Sequence, residues 1–204
     1  MRSVLMTLDL VKAMIEAMSE QKRKIHPHKF TLWVAIGSIL MMFAGLTSAY
    51  IVKRSQASWL MIEIPVMFWY STATILASSV TVQLALKALK KREMINYKRL
   101  LVVTAVLGVL FIVLQVAGFR QFAAQDIRLV GAGSNASYSF LLAISGLHGI
   151  HVLGGVVALA VIAIRALNSS TRSYSSVPLE IAATYWHFVD ALWIYLFIFF
   201  TWMK

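Results

Sequence analysis

His187 and Asp190 stand three residues apart in the run Tyr185-Trp186-His187-Phe188-Val189-Asp190-Ala191-Leu192-Trp193. The run lies within a stretch apolar enough for hydrocarbon, where an imidazole or a carboxylate is costly and is kept for a purpose. On a helix, residues three and four apart share a face, so Trp186, His187, Asp190 and Trp193 cluster. Two chemistries fit such a cluster: passing protons, or hydrogen bonding to neighbouring helices. Glu180, Thr184, His187 and Ala191 also fall on one face, a polar stripe expected to pack on protein and not on lipid.

His148 and His151 form a second pair, in Gly146-Leu147-His148-Gly149-Ile150-His151, followed by Gly154 and Gly155. Two histidines at this spacing can chelate a metal in principle. A metal or haem site needs further ligands and partners that hold the imidazoles. With His187 a three-histidine site is conceivable; the plainer reading has the histidines bonding neighbouring helices while the glycines let backbones approach. Gln115 is the amide of the third apolar segment and Gln83 lies near the end of the second, both read as interhelical hydrogen bonders. Hydroxyls at Ser38, Thr47 and Ser48 and from Ser71 to Thr81 predict tight packing of the first two helices. Trp33, Tyr50, Trp59 and Trp202 lie near segment ends, where amphipathic rings anchor at the membrane surface, and His26 and His28 flank Pro27 at an edge.

The elements that must position these residues are membrane helices. Of 204 residues, 60% are hydrophobic and 13% charged, about half the charge of a soluble domain. Five segments, approximately 30–52, 65–86, 100–119, 138–164 and 179–203, are each long enough to cross the bilayer as a helix. Alternating strand-length segments are not seen, so the fold class is all-α: a polytopic bundle of five transmembrane helices. The segments on the N-terminal side of the membrane carry 14 of the 19 Lys and Arg residues, the other side 5. This predicts a cytoplasmic N-terminus and an outer C-terminus. Membrane-hugging basic residues account for the net charge of +11 without nucleic acid.

Residues 1–29 read as a cytoplasmic amphipathic segment, lying on the membrane or on a partner or else forming a disordered tail, ahead of a membrane domain at 30–204. Asp9, Lys12 and Glu16 interrupt the apolar run and exclude a signal peptide, while Val4, Leu8, Val11, Ile15 and Met18 form one stripe. The connectors are short and polar, one of them holding an Asn135-Ala136-Ser137 triplet that matches a glycosylation sequon. The chain has no cysteine, hence no disulfide and no thiolate chemistry. No repeat suggests inverted halves.

In this order and on these helices, five motifs resemble subunit III of the haem–copper terminal oxidases. They are Glu63-Ile64-Pro65, the Ser71-Thr72 to Ser78 stretch, and Leu107-Gly108 through Phe111 to Gln115. Gly146-Leu147-His148-Gly149-Ile150-His151-Val152 and the closing Glu180 with Tyr185 to Trp193 complete the set. The chain is similar to the short five-helix bacterial form, of cytochrome c oxidase type. Two departures stand out: Ser38-Ile39-Leu40 replaces a Ser-Glu-Val stretch that often carries a buried glutamate, and Gly118-Phe119 stands where the family has Glu-Tyr. The family's cleft lipid, held by two helices that the short form lacks, is in question.

The resemblance implies a non-catalytic subunit of a complex that reduces oxygen to water and translocates protons in a bacterial plasma membrane. It implies haem and copper in partner subunits and none on this chain, with phospholipid admitted as a bound molecule. The implied partners are oxidase subunit I by direct packing, subunit II and smaller subunits, with a supercomplex with a cytochrome c reductase also open. Gln115, His148, His151, Glu180, Trp186, His187, Asp190 and Trp193 would then be a structural polar network or subunit and lipid contacts. The alternatives are subunit III of a quinol oxidase and, more remotely, a small proton channel or transporter relaying through Glu180, His187 and Asp190. A membrane metalloenzyme using His148, His151 and His187 is a further alternative.

Overall fold

A computed structural model describes residues 11–12, 27–55, 64–124, 136–168 and 176–203. The described residues form five long helices: α1 (Pro27–Arg54), α2 (Val66–Lys90), α3 (Met94–Ala124), α4 (Ala136–Asn168) and α5 (Val177–Trp202). All five are long and apolar enough to cross a membrane, and no strand occurs among the described residues. Val11 and Lys12 are helical. The rest of the amphipathic segment before Pro27, along with His26, Trp59, Glu63 and the Asn135 sequon position, lies outside the described residues.

The helices outrun the apolar segments that define them. At 1.5 Å per residue, the 33-residue α4 is about 50 Å long, against roughly 30 Å of hydrocarbon. The connection between α2 and α3 is correspondingly tight, with only residues 91–93 between the two helices. The Arg92 amide donates to the Leu89 carbonyl and the Glu93 amide to the Ala88 carbonyl, which satisfies the end of α2. This turn puts Arg92 at φ 61, the left-handed region where a side chain is strained. Arg92→Gly is therefore expected to stabilise the chain by about 0.5–1 kcal/mol, read as a higher midpoint of thermal unfolding in detergent. Pro65 precedes α2 and Pro178 lies in the first turn of α5, where a missing N–H costs nothing.

The chain divides into two compact units, residues up to Ser38 and residues from Ile39 onward. In the first, Phe30, Trp33 and Val34 are exposed on α1 and the Ser38 hydroxyl bonds back to the Val34 carbonyl. In the second, α2 packs on α3, α3 on α4, α4 on α5, and α5 back on α2. The ring closes into a four-helix bundle. The last part of α1 joins it through aromatic side chains: Phe43 lies edge-on to His151 at 5.8 Å, and Tyr50 edge-on to Phe199 at 5.2 Å.

Outward faces are as apolar as the interior. Val106, Val109 and Val113 of α3 and Val157 and Ile164 of α4 are exposed, as lipid-facing positions should be. The most enclosed helix is α5, whose inner stripe carries Trp186 and Trp193 with no exposed surface at all.

Candidate functional site

The chemistry-bearing residues meet along a polar seam between α2 and α5. The two helices run antiparallel, and the bonds step along them in matching register. Trp193 Nε1–H donates to Thr72 Oγ1 at 3.0 Å, and Trp186 Nε1–H to Ser78 Oγ at 3.0 Å. His187 Nδ1 lies 2.7 Å from Ser79 Oγ, and its Nε2 lies 3.3 Å from Gln83 Oε1. That amide oxygen can only accept, so Nε2 carries the proton; in the neutral ring Nδ1 then accepts from Ser79. At the end of the seam, Lys90 Nζ approaches Glu180 Oε1 at 3.3 Å, and Ser176 donates to the same oxygen. Lys90 is more than half exposed, and an ion pair in such a position contributes little.

The other side of α2 binds α3 in the same way. Gln115 Nε2 donates to Ser71 Oγ at 2.8 Å, and the Thr81 and Thr104 hydroxyls meet at 2.8 Å. Ser71, Thr72 and Ser78 also donate to their own helix's carbonyls, so each buried hydroxyl is fully used. A helix of small hydroxyl residues thus serves as the central strip to which α3 and α5 are fastened. Interhelical hydrogen bonds in membranes average about 0.6 kcal/mol each, so their number and register matter more than any one of them.

Trp186 shows how packing and bonding combine. Its ring passes so close to Gly155 on α4 and Gly108 on α3 that a Cβ on either would lie 2.8 and 2.7 Å from ring carbons. Only glycine permits this approach, and the indole therefore touches three neighbouring helices at once. Trp193 sits one layer further along. It is stacked on His148 at 5.1 Å and on Phe68 at 5.9 Å, and meets Phe111 edge-on at 5.3 Å.

The histidines do not converge. His148 is fully buried among Phe43, Phe111 and Trp193, and its ring nitrogens have no protein hydrogen-bond partner. His151 Nδ1–H donates to the Leu147 carbonyl at 2.8 Å, and Tyr185 donates to the His151 carbonyl, tying α5 to α4. With His187 engaged by α2 on both nitrogens, no three His, Asp or Glu side chains gather to hold a metal ion among the described residues. The three-histidine arrangement conceivable from spacing is not formed.

Asp190 is buried on the seam side of α5, between the two tryptophan layers. Neither carboxyl oxygen has a hydrogen-bond partner within bonding geometry; the Ser79 hydroxyl lies beside it but is engaged with His187.

Two expectations change. Thr184 and Ala191 are exposed, and Thr184 bonds to its own helix, so the stripe from Glu180 to Ala191 is the edge of the packed face. The buried stripe runs through Leu179, Ala183, Trp186, Asp190 and Trp193. Tyr50 is no surface anchor: it is 1% exposed, enclosed by Phe140, Phe199 and Phe200. Trp33 and Trp202 are exposed. The partners Thr72, Ser78, Ser79 and Gln83 had been read as packing or generic bonding residues. A signal was present in the six-residue step from Thr72 to Ser78, about two helical turns, as are the seven from Trp186 to Trp193.

A bundle of five membrane-length helices whose indole, imidazole and amide groups bond one helix to the next defines a polytopic membrane protein. The family model for cytochrome c oxidase subunit III matches residues 29–204, and the chain belongs to that family. It is 31% identical over 195 residues to a probable cytochrome c oxidase subunit 3 of Nocardia farcinica, covering 86% of this chain and 90% of the relative. To cytochrome c oxidase subunit 3 of Corynebacterium diphtheriae it is 30% identical over 179 residues, covering 81% and 85%. To that of Alkalihalophilus pseudofirmus it is 28% identical over 189 residues, covering 84% and 89%.

Proposed function

We propose that this chain is the non-catalytic subunit III of a bacterial cytochrome c oxidase. It packs against the catalytic subunit and keeps that subunit and its proton-uptake region intact while the complex reduces oxygen to water and moves protons. Haem and copper reside in the partner subunits. The N-terminus faces the cytoplasm, and residues 30–204 form the membrane domain of a plasma-membrane complex.

One observation carries the reading: among the described residues, the buried indoles and the imidazole of α5 are engaged with hydroxyl and amide groups of α2. His187 uses both ring nitrogens and both buried tryptophans use their N–H groups in interhelical bonds. A relay would need these groups free to exchange partners. The names of the relatives support cytochrome c as the donor over quinol. Oxidation of quinol but not cytochrome c by the purified complex would overturn that part.

His187→Ala tests the role. It removes two bonds from the seam, at a cost of about 1 kcal/mol. The expected result is an oxidase with unchanged initial oxygen-consumption rate and a shortened working lifetime or lower yield. A variant with full lifetime and a depressed initial rate would contradict a packing role.

A further inference from the structure

A crevice of about 280 Å³ runs between the outward sides of α3 and α4, and it differs from the lipid-facing surface around it. Two buried polar groups line it with no protein partner for Gln115 Oε1 or Ser145 Oγ. Gln115 is 8% exposed and Ser145 4%. The amide orientation follows from its neighbour: Ser71 has given its proton to the Phe68 carbonyl, so it accepts from Gln115 Nε2, and Oε1 is turned away from α2. Ser145 is odd among the buried helical hydroxyls. Ser71, Ser78 and Thr104 bond back to their own helix, whereas Ser145 does not.

The wall beside Ser145 is formed by Gly146 and Gly149, and a Cβ on either would meet nothing within 4 Å. Glycine in a helix interior is unfavourable relative to alanine. At Gly108 and Gly155 that cost is explained by Trp186; at Gly146 and Gly149 nothing among the described residues explains it.

We infer that this crevice seats a transmembrane helix of a partner subunit, which brings a hydroxyl side chain against Gln115 and Ser145. Close backbone approach at small residues, together with a cross-helix hydrogen bond, is how membrane helices associate. A serine or threonine hydroxyl on such a helix can accept from Ser145 or donate to Gln115 Oε1. A lipid acyl chain satisfies neither. The inference rests on the reading of the chain as an oxidase subunit and adds where a partner sits.

Ile150 lines the crevice and is 65% exposed, which leaves room for a probe there. Benzoylphenylalanine replacing Ile150 in the assembled oxidase is expected to cross-link to another protein subunit on illumination. The same probe replacing Val106, exposed on α3 away from the crevice, is expected to give lipid adducts only. Lipid adducts alone at Ile150, in a complex that still contains the chain, would overturn the inference and leave the proposed function standing. Absence of the chain from the purified oxidase would overturn the proposed function itself. In parallel, Gly149→Leu is expected to leave accumulation of the chain in the membrane unchanged and to lower co-purification of oxidase subunits at least tenfold. Ser145→Ala should lower it less, in the same direction. Undiminished co-purification of Gly149→Leu would overturn the inference.

Discussion

Replacing Gly155 with valine is expected to leave little correctly packed chain. A Cβ at this position would lie 2.8 Å from Trp186 Cε3 and 2.9 Å from Cζ3. The indole has little room to withdraw, because the neighbouring ring carbons Cη2 and Cζ2 lie against Gly108 and its N–H is held by Ser78. The overpacking costs about 3 kcal/mol, roughly a hundredfold in the folded fraction. The measurement is the thermal midpoint of the detergent-solubilised chain, with its yield from the membrane. Gly149→Leu serves as the matched control. It adds more volume to the same helix at a site with nothing within 4 Å, so it should unfold like the parent. Equal stability of the two variants would show that Trp186 is not the wedge that sets the spacing of α3, α4 and α5.

Trp193→Ala is the second large effect, expected to destabilise by about 3–5 kcal/mol. It removes the ring that lies between Phe68 and His148 and against Phe111, and leaves a cavity in the most enclosed part of the bundle. The hydrogen bond is the smaller share. Thr72 also donates to the Phe68 carbonyl at 2.7 Å, so losing the indole N–H orphans no hydroxyl proton. Trp193→Phe should therefore recover most of the loss and remain about 0.6–1 kcal/mol below the parent. A phenylalanine variant as unstable as the alanine one would assign the energy to the Thr72 bond and not to the stack.

The membrane class, the number of helices and the family were legible in the chain. Apolar runs of bilayer length are a property of consecutive residues, and the bilayer enforces helix on each of them. The choice of Trp186, His187, Asp190 and Trp193 as the informative cluster was legible for the same reason: polar groups in hydrocarbon stand out wherever they point. Their partners were less legible. A serine in an apolar helix looks the same whether it bonds its own carbonyl, as Ser78 does, or also receives an indole from a helix 108 residues away.

By itself, then, the chain determined what must cross the membrane and which side chains need company. Tertiary structure decided who keeps that company. It set Trp186 between two glycines, His187 on α2 and not beside His148 and His151, Tyr50 inside and not at the surface, and Gln115 with one end satisfied and one end waiting. The physical reason is that lipid is as apolar as leucine. Hydropathy therefore cannot tell an outward face from an inward one, and close contact and hydrogen-bond register across helices make that distinction.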